Sequence, residues 1–248
     1  MKKLIILSLA ILFFSSCKTT NILMESKQEQ KISITKLDST FFYNPNYQYK
    51  IKRDDKISIS VWGEDELSVG SIYGIYNSNE VYGKWLMVDS EGNVEMPKLG
   101  TLNISGKTLI EIKKMLKQKH SKWLVNPIID VKILNKEITV LGEVKNPQVI
   151  KVDKDQNTLF EIIARCNGFD TYANKKYIKV LRQEGEHVLI ANIDITKSGN
   201  YFKKNIQLHP GDVVAIPSKK NKMFDKRIAT IIPFTTTITA ASIILGLF

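Results

Sequence analysis

Residues 228–248, Ile-Ala-Thr-Ile-Ile-Pro-Phe-Thr-Thr-Thr-Ile-Thr-Ala-Ala-Ser-Ile-Ile-Leu-Gly-Leu-Phe, contain no charged side chain. A helix over this run rises about 1.5 Å per residue and measures roughly 31 Å, about the thickness of a bilayer's hydrocarbon core. The run therefore predicts a C-terminal transmembrane helix. At about 100° per residue, Thr235, Thr239, Ser242 and Gly246 share one narrow face, while Ile, Leu, Phe and Ala fill the others. Two readings of that stripe stand. A helix that packs against copies of itself, or borders water, uses a small polar face. A plain anchor also accommodates it, because Thr and Ser bond back to their own helix carbonyls. Pro233 either kinks the helix or starts it.

The opening of the chain is a second membrane signal. Lys2 and Lys3 precede an apolar run from Leu4 to Phe14, then Ser15, Ser16 and Cys17. A basic start, a short apolar core and small residues describe a signal peptide over 1–16. Its terminal cysteine makes it resemble a bacterial lipoprotein signal, with Cys17 the lipid attachment site. A lipid and an apolar tail together hold a membrane far better than either alone. Cleavage removes Lys2 and Lys3, so the formal charge falls by two, from +11 to +9. That balance suits anionic membranes or acidic polymers; export from the cytoplasm argues against nucleic acid. With Cys17 lipidated only Cys166 remains, so no intrachain disulfide forms. Cys166 reads as a small buried apolar residue.

Between the ends, the chain divides into a polar tether over 17–46 and two modules, 47–135 and 136–218. In the first, Ile57, Ile59 and Val61 alternate with Ser58 and Ser60 as a half-buried strand. A long loop over 63–84 follows. Ser90-Glu91-Gly92-Asn93 reads as a hairpin turn between the flanking apolar segments. Thr108-Leu109-Ile110-Glu111 is a capping box that opens a helix with Leu109, Ile112 and Leu116 on one side. Ile129, Val131 and Ile133 return to strand alternation. The second module repeats this grammar, with strands at 138–141, 149–152, 177–182, 187–192 and 213–216. Thr158-Leu159-Phe160-Glu161 is its capping box, and Gly168 stops the helix. The fold class predicted is α+β: two tandem small mixed-sheet, β-grasp-like domains before the C-terminal transmembrane helix. Lys219, Lys220, Lys222, Lys226 and Arg227 form a basic linker over 219–227, placed to snorkel at a membrane interface.

No catalytic constellation, metal-ligand spacing or cofactor loop emerges. His120, His187 and His209 stand apart. Asp54 and Asp55 point to opposite faces of an extended chain. Asp55 and Asp212 precede their strands in equivalent places, which points to turn chemistry rather than catalysis. Trp62 and Trp123 read as core residues, leaving Trp85 as the one candidate platform for a sugar ring.

The motif order resembles a known family. Residues 49–62, from Tyr49 through Asp55 to Trp62, look like the opening of the polysaccharide export domain of the outer-membrane Wza-type family. The stretch with Gly92, Pro97 and Gly100, and then Gly106 before Thr108, is similar to its middle. Gly142, Pro147 and Pro210-Gly211-Asp212 resemble a single SLBB (soluble ligand-binding β-grasp) domain. Asp54 stands where the family usually has Gly, and so does Gln148.

The resemblance implies a homo-oligomeric ring in the periplasm, lipid-anchored to the outer membrane, whose tails form a helical barrel through that membrane. Its cargo would be capsular or exopolysaccharide, moved passively, with an inner-membrane polysaccharide copolymerase as partner. No enzyme activity, cofactor or metal is implied. Two rivals remain. One is a periplasmic glycan-binding or adaptor lipoprotein merely anchored by its tail; the other is a lipoprotein enzyme acting on cell-wall glycan through carboxylates.

Overall fold

The computed structural model describes residues 39–62, 64, 85–196 and 204–229. Thr35–Ile216 forms one compact unit, and the described residues from Pro217 onward belong to a separate one. Within Thr35–Ile216 there are two apolar cores. One gathers Tyr49, Ile51, Ile57, Ile59, Ile112, Leu116 and Val131; the other gathers Phe41, Ile138, Leu159, Ile162, Ile178, Val214 and Ile216.

The first core lies under a three-stranded antiparallel sheet. Its strands are β1 (Lys56–Val61), β2 (Leu86–Met87) and β5 (Ile129–Ile133), in the order β2-β1-β5. β3 (Asn93–Met96) and β4 (Gly100–Asn103) form a separate ribbon. The strict alternation in β1 buries Ile57, Ile59 and Val61 and turns Lys56, Ser58 and Ser60 outward. Helix α1 (Leu109–His120) begins with the expected capping box. The Glu111 amide donates to Thr108 Oγ1, and the Thr108 amide donates to Glu111 Oε2 at 2.8 Å. Ile112 and Leu116 then seat the helix on the core.

The second core lies under a mixed five-stranded sheet in the order β10-β9-β12-β6-β7. These are β6 (Glu137–Gly142), β7 (Gln148–Lys151), β9 (Ile178–Glu184), β10 (His187–Ile193) and β12 (Val213–Ile216). β12 inserts centrally, parallel to β6 and antiparallel to β9. Last and first strands side by side and parallel give this module its β-grasp character, and α2 (Leu159–Arg165) buries Leu159, Ile162 and Ile163 in its core. β8 (Asn157–Thr158) and β11 (Gln207–Leu208) pair separately. The α+β, mixed-sheet class expected from sequence is the one observed.

Several expectations need correction. The tether ends earlier than residue 46: Ser39–Phe41 is a 3-10 turn, and Phe41 is fully buried in the second core. The Ser90–Asn93 turn exists, with the Gly92 amide donating to Asp89 O. It does not close a hairpin, however, because β2 pairs with β1 and β3 pairs with β4. Thr158 makes no side-chain cap. Its hydroxyl is not required there, because the Leu159 amide donates to Ile206 O and the Phe160 amide to Asn205 Oδ1. Glu161, the other half of the expected box, is held by Lys154 and Arg165. Trp62 and Trp123 are not core residues, at 57% and 43% exposure. The Trp62 amide continues the ladder by donating to Ile128 O, so strand alternation, with Val61 facing in, sends the indole out.

Among the described residues no helix is long and apolar enough to cross a membrane. The predicted spanning helix falls outside the described residues from residue 230 on, as do Cys17 and the signal peptide.

Candidate functional site

Two aspartates anchor the two modules through the same local geometry. Asp55, before β1, accepts the Lys52 amide at 2.8 Å; Asp212, before β12, accepts the His209 amide at 2.8 Å. Each carboxylate thus closes a turn on the residue three places earlier. Their second partners differ. Asp55 receives the Tyr49 hydroxyl at 3.1 Å on both oxygens, and burial pushes its carboxyl pKa up against these hydrogen bonds. Asp212, 1% exposed, takes a two-pronged contact from Arg182, Nε to Oδ1 at 3.0 Å and Nη2 to Oδ2 at 2.7 Å.

Arg182 is itself 3% exposed and spends its remaining donors on main chain. Nη1 donates to Thr40 O at 2.6 Å and Nη2 to Gln207 O at 2.9 Å, and the guanidinium lies 4.4 Å from the Phe41 ring centroid. One side chain therefore ties residues 39–41 to β11 and to the turn before β12. The sequence offers no local cue to this, since the contact joins positions 142 apart.

The modules meet across a polar seam. Lys136 Nζ, nearly buried, donates to Asp153 O at 2.7 Å and Asp155 Oδ1 at 3.0 Å, and lies 5.8 Å from the Tyr49 ring. The Tyr49 amide donates to Asp155 Oδ2 at 3.4 Å, and the Asn44 amide to Gln207 Oε1 at 2.7 Å. Tyr47 stacks on His209 with centroids 3.7 Å apart and planes 6° from parallel. Burial, helped by the nearby Arg182 and Lys52 charges, lowers the His209 pKa from 6.5 to about 3. Burial also raises the Tyr47 and Tyr49 hydroxyls well above their ordinary range. His120, fully buried at the end of α1, touches Trp123 edge-on, and neither ring nitrogen has a hydrogen-bond partner.

The remaining motif residues sit at turns. Gly92 has φ +84°, and a Cβ there would lie 2.4 Å from Ser105 Cβ. Pro97 opens the β3–β4 turn that Gly100 closes, and the Gly106 amide donates to Ile51 O. Gly142 ends β6, and Pro147 precedes β7. Pro210 is buried beside Gly211, whose amide donates to Glu137 O at 2.7 Å. These residues shape the turns of two modules. Thr235, Thr239, Ser242 and Gly246 lie outside the described residues. Lys219, Lys220, Lys226 and Arg227 are exposed and Lys222 half-buried, around a helical stretch over 222–229 that also exposes Met223, Phe224 and Ile228.

An aromatic surface emerges on the first module, of which the sequence alone suggests only Trp85. The outward positions of β1 run Lys56, Ser58, Ser60 and then Trp62. Lys56 lies opposite Met87 and Ile57 opposite Leu86, so one further step places Trp85 beside Ser58 on the same outer face. Lys56 Nζ lies 4.5 Å from the Trp85 ring centroid.

Residues 43–134 match the family described as polysaccharide biosynthesis/export protein, and residues 136–216 match the SLBB domain. The two matches follow one another over nearly all of the Thr35–Ile216 unit.

Proposed function

Because the chain belongs to the polysaccharide export family and carries one SLBB domain, we propose that it is an outer-membrane lipoprotein whose copies assemble a conduit for capsular or exopolysaccharide. The observation that carries the reading is the uninterrupted succession of the two matched modules over residues 43–216. In this reading Cys17 holds the lipid and both soluble modules stand in the periplasm. Residues 228–248 cross the membrane as one helix of a barrel, with the Thr235–Thr239–Ser242–Gly246 face toward the lumen or a neighbouring helix. The alternation of Lys219, Lys220, Lys226 and Arg227 with exposed Met223 and Phe224 suits a membrane interface, the apolar groups dipping in and the cations staying wet. The chain makes and breaks no bond; an inner-membrane copolymerase supplies the polymer and the drive.

The test compares full-length lipidated protein in detergent with a version ending at Arg227, by mass and by export in cells. A closed ring that exports only with its tail supports the conduit. A monomer or dimer that still supports export without residues 228–248 overturns it in favour of a tail-anchored adaptor.

A further inference from the structure

The exposed outer face of the β2-β1-β5 sheet has a composition that its fold does not require. Trp62 is 57% exposed and Trp85 40%, and neither fills the core beneath. Between them on the same face lie the hydroxyl-bearing positions Ser58 and Ser60, with Lys132 opposite Ser58 and Asp130 opposite Ser60 on β5. Four residue steps lead from Ser58 to Trp62, and one strand spacing separates Ser58 from Trp85. The two tryptophan backbones are thus about 14 Å apart, the reach of a short oligosaccharide.

We propose that this face is a glycan platform, on which a segment of polysaccharide lies along β1 with sugar rings stacked on Trp62 and Trp85. The proposal rests on the polysaccharide-export reading and names a surface for its cargo. A sugar presents an apolar C–H face and an equatorial rim of hydroxyls, so it needs flat aromatic rings and small hydrogen-bonding groups in alternation. Trp62, Ser60 and Trp85 supply that alternation. A protein partner calls for something else. The outer face of the five-stranded sheet offers it: exposed Val188 and Ile190 on β10, and exposed Leu141 and Val149 on β6 and β7. These four positions are aliphatic. Charge favours an acidic glycan on the tryptophan face. The Asp130 carboxylate is already engaged by Lys113 at 2.7 Å, and Lys132 reaches it only at 3.9 Å. Lys56 Nζ lies over one face of the Trp85 ring, so in this proposal the sugar takes the opposite face and its carboxylate reaches back to the ammonium at the ring edge.

The chain has three tryptophans, which allows an internally controlled experiment. Full-length protein in detergent is labelled with 5-fluorotryptophan. It is titrated with oligosaccharides cut from the surface polysaccharide of the cells that make it, with oligogalacturonate and cello-oligosaccharides as acidic and neutral references. The Trp62 and Trp85 fluorine signals are expected to shift and saturate while Trp123, packed on His120, stays still. Trp62→Leu and Trp85→Leu should each weaken binding about three- to tenfold, and Trp62→Tyr, which keeps a stacking ring, should stay within about twofold. The last variant separates a lost platform from a lost fold. No shift of the Trp62 and Trp85 signals, equal movement of all three, or shifts that follow protein dilution instead of saccharide overturn the proposal; the last marks a contact between copies. The conduit reading fails separately: a version ending at Arg227 that exports normally sinks it while leaving saturable binding at Trp62 and Trp85 intact.

Discussion

Replacing Arg182 by Met should be among the most damaging single changes in the Thr35–Ile216 unit. The substitution leaves Asp212, 1% exposed, with the His209 amide as its remaining donor of those described above. It also strips donors from Thr40 O and Gln207 O and removes the cation from the Phe41 ring. Breaking a buried ion pair from one side costs about 3–5 kcal/mol, because the surviving charge stays desolvated. For a unit of this size that lowers the melting temperature by about 10 °C. The double change Arg182→Met with Asp212→Leu removes both charges and should recover most of the loss, since well-packed apolar replacements of a buried pair are often close to neutral. The assay is a thermal melt of the wild type, both single variants and the double, with limited proteolysis across residues 39–47. In the single variant the Thr40–Phe41 attachment loses its anchor, so cleavage there should accelerate before global unfolding. A single-variant cost below about 1 kcal/mol, or a double variant as unstable as the summed singles, would refute the argument that this pair is desolvated and coupled.

Asp54 holds φ +64°, the left-handed region that costs a residue with a Cβ and suits glycine. Asp54→Gly should therefore raise stability by about 0.5–1 kcal/mol, read as a higher urea midpoint at unchanged slope. Thr108→Ala should cost about 1 kcal/mol by opening a complete capping box, whereas Thr158→Ala, with no cap bond to lose, should cost far less in the same denaturation series. Acid should destabilise the seam. The folded-state pKa of His209 lies below its unfolded value, so the neutral ring stabilises the fold fully above pH 6.5, and the unfolded chain gains protons first as pH falls toward 3. The full shift corresponds to about 5 kcal/mol, which solvent reaching a half-buried ring reduces to about 2 kcal/mol. His209→Phe keeps the stack on Tyr47 and should flatten the pH dependence of the urea midpoint between pH 6.5 and 4.5; an unchanged slope would contradict the assignment.

The sequence disclosed whatever depends on neighbours a few positions away. Ile57, Ile59 and Val61 declared their buried face, and Thr108 with Glu111 declared a helix start, because alternation and capping are local. It concealed what depends on parity or distance. Trp62 reads as core from sequence and faces solvent, because one step of strand alternation, continued by its bond to Ile128, decides between the two. Phe41 reads as tether because the core that buries it and the Arg182 that caps it lie far along the chain. Thr158 carried a capping signature that the fold leaves unused, since Asn205 and Ile206 reach the same amides. The family motifs were legible in order, yet the roles of Asp55 and Asp212 diverge through Tyr49 and Arg182, which no motif spacing announces.

That divergence bears on how the two modules hold together. Asp55 meets a neutral hydroxyl and Asp212 a guanidinium, and across the seam run the Tyr49–Asp155 bond, the Asn44–Gln207 bond and the Tyr47–His209 stack. An apolar seam tolerates sliding, because dispersion and burial depend weakly on register. Hydrogen bonds weaken steeply with misalignment, and a buried donor or acceptor left unmade costs about 1–3 kcal/mol. A small rotation of one module against the other would break several of these contacts together. The seam therefore fixes an orientation more than it adds stability, which is what copies of a two-module chain need if each is to present the same surfaces to its neighbours and to a passing polymer. Its weak point follows from the same chemistry: the ring of His209 can be charged, and doing so places a cation beside Arg182 and Lys52.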